Sequence, residues 1–343
     1  MRTKNTVAGP NNALTDIIGI SVGNAKDESA RTGVTVILCD EPAIAAVDVR
    51  GGGPGTRETD ALAPHNLVER IDALVLSGGS TYGLGAADAV AAQLGANGRG
   101  FAMMDLPGVP RSPIVPAAIL YDLANGGDKN WGEEPPFHDL GRRALANAST
   151  DFAIGNAGAG YGAMAGAIKG GLGSASIITR DHLAVGALAA VNSFGSVLVP
   201  GTKNFWAAPF EQGDEFGGLG WPVSPQVDAD DWGAAKLNPG ARQNTTLGVV
   251  ATPASLTPAQ AKRLAIMAQD GLARAIRPAH SPFDGDIVFA IATGAADGPT
   301  LDELALTRLG VLAADCLARA VARGVYAAQS LGDAKAWRDY APG

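Results

Sequence analysis

Apolar residues along this chain run in blocks rather than alternating with polar ones. "DIIGISVGNA" (16–25), "TGVTVILCD" (32–40), "IDALVLSGG" (71–79), "TTLGVVAT" (245–252) and "DGDIVFAIAT" (284–293) read as strands. A strand with one wet face would alternate apolar and polar positions, so both faces of these strands must be covered. The first two form the start of a meander, and "AIAAVDVRGGGPGTRETD" (43–60) is a strand running into a glycine loop. Elsewhere the period becomes helical. Residues 80–95 predict a helix with Ser80 or Thr81 near its cap, and 138–148 a short one. A longer helix covers 258–276, opened by a capping box of Thr257 and Gln260 with Pro258 at the first helical position. Its apolar stripe is Ala261, Leu264, Ala265, Ala268, Leu272 and Ile276. The last helix starts at a Thr300/Glu303 capping box and runs to about Tyr326. Residues 155–179 begin too rich in glycine for a helix and end as a strand. Residues 182–200 read as one long strand, or as two with a turn at "NSFG". Residues 104–137 are Pro-rich and irregular, and 201–243 read as a surface excursion rich in Gly, Pro, Trp and acids. Covered strands together with long helices predict an α/β fold, a layered sandwich of sheets flanked by helices, in a single domain over 1–343.

Composition narrows the class. Hydrophobic residues make up 46% of the 343 and charged residues 17%, enough apolar surface for a large core, and the 46 glycines favour close backbone packing. A formal charge of -8 without a long basic run argues against nucleic acid as the main partner. Cys39 and Cys316 lie far apart in apolar segments and read as reduced, buried thiols. The longest apolar run, Leu183 to Val191, is too short to span a bilayer. The opening "MRTKNTVAGPNN" has basic residues but no apolar stretch behind them. The expectation is a cytoplasmic protein with no membrane partner.

Candidate chemistry is scattered. The four histidines, His65, His138, His182 and His280, show no metal-ligand spacing, so no metal is expected. "SGGSTYG" (77–83) fails the G-x-S-x-G nucleophile elbow because Tyr82 stands at the last glycine position. "GAGYGA" (158–163) fits a G-x-G-x-x-A dinucleotide fingerprint, with Asp181 at about the required twenty residues further on. The glycines that follow leave no helix to receive a pyrophosphate. Lys169 is the only charged residue between Asp151 and Arg180. It is either a solvated loop lysine or a positive charge that lowers the pKa of a neighbouring amine. Asn192 interrupts an apolar strand; it either ties down the "NSFG" turn or donates to an oxyanion. Asp284 and Asp286 share one face of a strand entrance by period 2, as a solvated turn or as partners of an amine. Asn244, Thr245 and Thr246 match a glycosylation sequon, which requires secretion, and threonine at a strand start is ordinary β-propensity.

Taken together these segments resemble one family. "ALTDIIGISVGNA", "TGVTVIL", "AVDVRGGGPGTRETDAL", "LSGGSTYGLGAADAV", "IVPAAILYDL", "NAGAGYGAMAG" followed by Lys169, "VNSFGSV", "NTTLGVVAT" and "DGDIVFAIATG" run in the order of the DmpA/NylC family and cover nearly the whole chain. That family comprises L-aminopeptidase D-amidase/D-esterases, β-aminopeptidases and 6-aminohexanoate-oligomer hydrolases. The resemblance implies a self-processing N-terminal-nucleophile hydrolase with an αββα sandwich of the DmpA/ornithine acetyltransferase type. It needs no cofactor. The precursor is expected to cut itself between Asn244 and Thr245 into 1–244 and 245–343, and the partner is a small peptide or amide substrate. Thr245 matches the nucleophile, Lys169 and Asn192 the polar residues beside it, Asp284 and Asp286 the acidic pair, and Tyr121 the active-site tyrosine. The peptidase branch carries serine as nucleophile and Ser-x-Glu in place of Asp284 and Asp286. Thr245 with Asp-x-Asp is more similar to the nylon-oligomer hydrolases. The resemblance also implies a homotetramer. An aminopeptidase/D-amidase of the same family, an ornithine acetyltransferase-like acyltransferase and a non-catalytic dinucleotide-binding protein are the alternative readings.

Overall fold

The computed structural model describes residues 5–104, 106–225, 227–236, 244–296 and 301–342. The N-terminal half contributes β1 (Thr6–Val7), β2 (Ile20–Asp27), β3 (Thr32–Val49), β4 (Thr56–Arg57) and β5 (Arg70–Ser77). Helix α1 (Gly85–Ala96), β6 (Ala117–Ile119) and α2 (Phe137–Ala146) follow. Next come β7 (Met164–Ala165), β8 (Ile168–Lys169), β9 (Gly171–Thr179) and β10 (Ala184–Asn192). The C-terminal part is β11 (Thr245–Thr252), α3 (Pro258–Ala275), β12 (Ile287–Ala292) and α4 (Glu303–Ala327).

Among the described residues, one hydrogen-bonded sheet runs in the order β1-β9-β10-β11-β12-β3-β5-β6-β4, with β2 paired to β3. The 18-residue β3 belongs to two halves of it. Its first part pairs with β2 and β5, its last part, Ile44 to Val49, pairs with β12, and a register shift lies between Leu38 and Ala43. Such a bulge bends a strand, and the packing shows the result. Ile37, Cys39, Leu74 and Leu76 from one half meet Leu188, Leu247, Val249 and Phe289 from the other in one buried cluster. Their neighbours point the opposite way. Val36 and Val75 pack on Val90 of α1 and Leu140 of α2, while Val250 and Val288 pack on Leu264 of α3 and Leu317 of α4. The layers are therefore α1/α2, sheet, sheet, α3/α4, the expected αββα sandwich, and the unbroken apolar strands follow from coverage on both faces.

Glycine sets the spacing between α4 and its sheet. A Cβ on Gly173 would lie 1.9 Å from the carbonyl oxygen of Ala320, so only glycine permits this approach. The capping box of α3 is present, with the Gln260 N–H donating to the Thr257 hydroxyl and the Thr257 N–H to the Gln260 side chain. No helix among the described residues is long and apolar enough to cross a membrane.

Several expectations are corrected. Residues 80–84 form a 3-10 turn and the α-helix begins only at Gly85; neither Ser80 nor Thr81 caps it, because Gly79 and Ser80 take positive φ in a tight turn. Helix α4 is capped by Asp302, whose carboxylate accepts from the Ala305 N–H at 2.7 Å, while Thr300 lies outside the described residues. The segment after β10 is not merely a surface excursion. Phe205, Ala207 and Phe216 are buried in the same cluster as α3 and α4, and Glu215 pairs with the fully buried Arg319 of α4. Its apolar residues follow no period and are diluted by Gly, Pro and acids, which conceals a packed segment.

Candidate active site

Strand β11 is flanked by β10, antiparallel, and β12, parallel, so its first residues are held from both sides. Thr245 stands opposite Asn192 at the end of β10, and Asn244 forms a parallel bridge with Asp284 just ahead of β12. Both Asn244 and Thr245 are buried. The Thr245 hydroxyl lies 2.5 Å from the carbonyl oxygen of Asn244. The same oxygen accepts the main-chain N–H of Gly285 at 2.8 Å. A side-chain hydroxyl and a main-chain donor thus converge on one peptide carbonyl.

The acidic pair fixes this arrangement. Asp286 accepts from the Thr246 N–H at 2.8 Å and from the His280 N–H at 3.0 Å, with the His280 Nδ1 at 2.9 Å. Asp284 accepts from the Phe194 N–H at 3.0 Å, the Ser281 N–H at 3.0 Å and the Ser281 hydroxyl at 2.5 Å. Burial, followed by the neighbouring Asp286 charge, raises the Asp284 pKa above the usual carboxylate range. Asn192 accepts from the Met164 N–H at 2.9 Å and donates to the Tyr121 carbonyl at 2.9 Å. Tyr121, Asn192, Asn244, Thr245, Asp284 and Asp286 are thereby gathered around one peptide bond. Lys169 is almost wholly buried, and its Nζ donates to the carbonyls of Gly160 and Gly170, not to Thr245. Burial pushes its pKa down to about 7, opposed by the nearby Asp122. Asp122 is itself pushed up to about 6 by burial, against hydrogen bonds from Thr32 and Gly79.

Two cavities meet at Asn244. The larger, about 410 Å³, is lined by Gly53, Ser80, Ile119, Tyr121, Thr245 and Phe283 among others. The smaller, about 130 Å³, is lined by Tyr121, Asp122, Asn192, Lys236 and Asn244 among others. Sequence reasoning missed Lys236, Gly285, His280 and Ser80. Gly285 sits between the two predicted aspartates, and that spacing was the available signal. Lys236 lies in the segment taken for a surface excursion. Its Nζ is 2.7 Å from the Asn244 Oδ1, and desolvation pushes its pKa down to about 7 against the pull of Asp284. "GAGYGA" builds no phosphate loop: Gly158–Gly160 is a buried 3-10 turn with no helix after it, and Asp181 pairs with Arg308 on the surface.

The Peptidase family S58 model matches residues 12–337. The chain belongs to peptidase family S58. An uncharacterized aminopeptidase of Mycobacterium tuberculosis is 45% identical over 97% of this chain and 98% of its own length. A 6-aminohexanoate-oligomer endohydrolase from a Kocuria species is 29% identical over 95% of this chain and 90% of its own. Among solved structures, the L-aminopeptidase D-Ala-esterase/amidase of Ochrobactrum anthropi, described as a variant of the Ntn hydrolase fold, superposes with a TM-score of 0.70 at 24% identity, covering 95% of this chain and 89% of that one. As a member of peptidase family S58, the protein is an amide-bond hydrolase.

Proposed function

We propose that the protein is an N-terminal-threonine amidase that makes its own nucleophile. The observation that carries this reading is the convergence of the Thr245 hydroxyl and the Gly285 N–H on the Asn244 carbonyl. In the precursor the Thr245 Oγ1 attacks that carbonyl carbon, and the developing oxyanion is stabilised by the Gly285 N–H. The C–N bond breaks, its nitrogen takes a proton, and Asn244 is left as an ester on the threonine oxygen. Water hydrolyses the ester, releasing the Asn244 carboxylate and restoring the hydroxyl. The freed α-amine, with a reference pKa of about 7.7–8.0, then accepts the proton of its own hydroxyl. Thr245 attacks a substrate amide, the amine leaves, and water releases the acid from the acyl-threonine.

In this reading Asn192, opposite Thr245, stabilises the substrate oxyanion. Lys169, in its protonated form, lowers the pKa of the Thr245 amine and so favours the neutral base. Asp284 and Asp286 orient the strand ends that carry the amine, and Tyr121 contacts the scissile group. The substrate class is small peptides or amino-acid-derived oligomers, 6-aminohexanoate oligomers included. Among the described residues the larger cavity is lined by uncharged side chains, which suits an uncharged, extended acyl chain. Intact mass of the purified protein should give two pieces divided after Asn244, and Thr245→Ala should stay one inactive chain. An active wild type that remains uncut overturns the mechanism.

A further inference from the structure

Lys236 has no part in that hydrolysis, yet it is built into a ring of contacts around the bond to be cut. The Phe194 N–H donates to Asp284 at 3.0 Å, and the Lys236 N–H donates to the Phe194 carbonyl at 2.9 Å. The Lys236 Nζ reaches the Asn244 Oδ1 at 2.7 Å, and the Asn244 carbonyl returns to the Gly285 N–H, next to Asp284, at 2.8 Å. A second contact, 3.5 Å from Nζ to the Asn192 Oδ1, ties the ring to the end of β10. The side chain of Asn244 is thus anchored at one point and its carbonyl at another. The peptide plane between them is the one that Thr245 attacks.

We propose that Lys236 is a positioning residue for the self-cleavage of Asn244–Thr245, holding the Asn244 side chain so that the carbonyl stays on the Gly285 N–H. This rests on the self-cleavage reading. It accounts for a half-buried lysine whose ammonium is directed at the Asn244 side chain. An ammonium is a costly group to desolvate unless it is hydrogen-bonded, and here the acceptor belongs to the residue being cut.

The test is the rate of cutting in pulse-labelled cell-free translation, followed on denaturing gels. Lys236→Met, of similar shape without a donor, should cut roughly tenfold or more slowly, the scale expected for losing a hydrogen bond to a charged group. Lys236→Arg, which keeps a charged donor, should recover most of the rate. In an Asn244→Ala background, Lys236→Met should add little further slowing, because the Asn244 Oδ1, its 2.7 Å acceptor, is already gone and only the 3.5 Å contact to Asn192 remains. Should the methionine variant fail to fold, Lys236→Gln, one bond shorter, serves in its place and should also slow the cut. Lys236→Met or Lys236→Gln cutting at the wild-type rate overturns the proposal, and so does slowing that persists undiminished without the Asn244 side chain. A wild-type chain that never cuts overturns the self-cleavage reading instead.

Discussion

The Gly285 N–H donates at 2.8 Å to the carbonyl oxygen of Asn244, the oxygen that the Thr245 hydroxyl also reaches. Glycine at this position is a spatial requirement. A Cβ on residue 285 would lie 2.6 Å from the Thr245 Oγ1 and 2.8 Å from the Gly53 carbonyl oxygen, closer than real Cβ contacts allow. Gly285→Ala should therefore displace the Thr245 hydroxyl, the proposed nucleophile. A misplacement on the order of 1 Å costs about 10²-fold in rate, and that loss is expected in self-cleavage and in turnover alike. Gel time courses and an amide assay measure both; wild-type rates in a folded Gly285→Ala protein would contradict the assignment.

The two adjacent threonines should behave oppositely. Thr246 is fully buried, and its hydroxyl has no hydrogen-bond partner among the described residues, although its N–H is held by Asp286. Burying an unpaired hydroxyl costs about 1–3 kcal/mol in protein mutational data. Thr246→Val should keep the cut and raise stability by about 1 kcal/mol, whereas Thr245→Val should abolish the cut. Denaturant midpoints and intact mass of the two variants decide it.

Asp286 is read as the clamp on the start of β11. Removing its side chain leaves the buried Thr246 N–H without its acceptor and frees His280. Asp286→Ala should lower stability by about 1–3 kcal/mol, the usual penalty for an orphaned buried donor, and should slow self-cleavage as well. Chemical denaturation in a Thr245→Ala background keeps the chain whole while stability is measured. Loss of the cut with unchanged stability would instead point to direct chemistry by the carboxylate.

The parts of the fold that came through from sequence are those set by local pattern. Helix α3 announced itself through Thr257, Pro258 and Gln260, and β11 through the run from Thr245 to Thr252. The layered sandwich was readable because Val249 and Val250, adjacent in sequence, are both apolar and serve different cores. What stayed hidden depends on distant partners. That β3 continues from Thr32 through Val49 needs β5 and β12 in place on either side of its bulge. The burial of Phe205 and Phe216 requires α4 and Trp337 as partners. Lys236 acquires its meaning only from the Asn244 side chain lying beside it.

Stability should rise with pH above neutrality because of Lys169. In the unfolded chain its amine keeps a proton up to its ordinary pKa of 10.5; in the folded protein burial lowers that to about 7. Between those values the unfolded state binds more protons, so the free energy of unfolding grows with pH across the window and the cost of the buried charge is fully present below it. Asp122, the charged group facing Lys169, gives up its proton at about 6 and stays ionised throughout. Lys236 titrates over the same window and contributes in the same direction. In an uncut Thr245→Ala protein, the denaturant midpoint should climb from pH 7 to pH 10, and Lys169→Met should flatten part of that climb, leaving the share due to Lys236. A Lys169→Met protein whose stability climbs as steeply as its parent would show that this lysine is not desolvated as described.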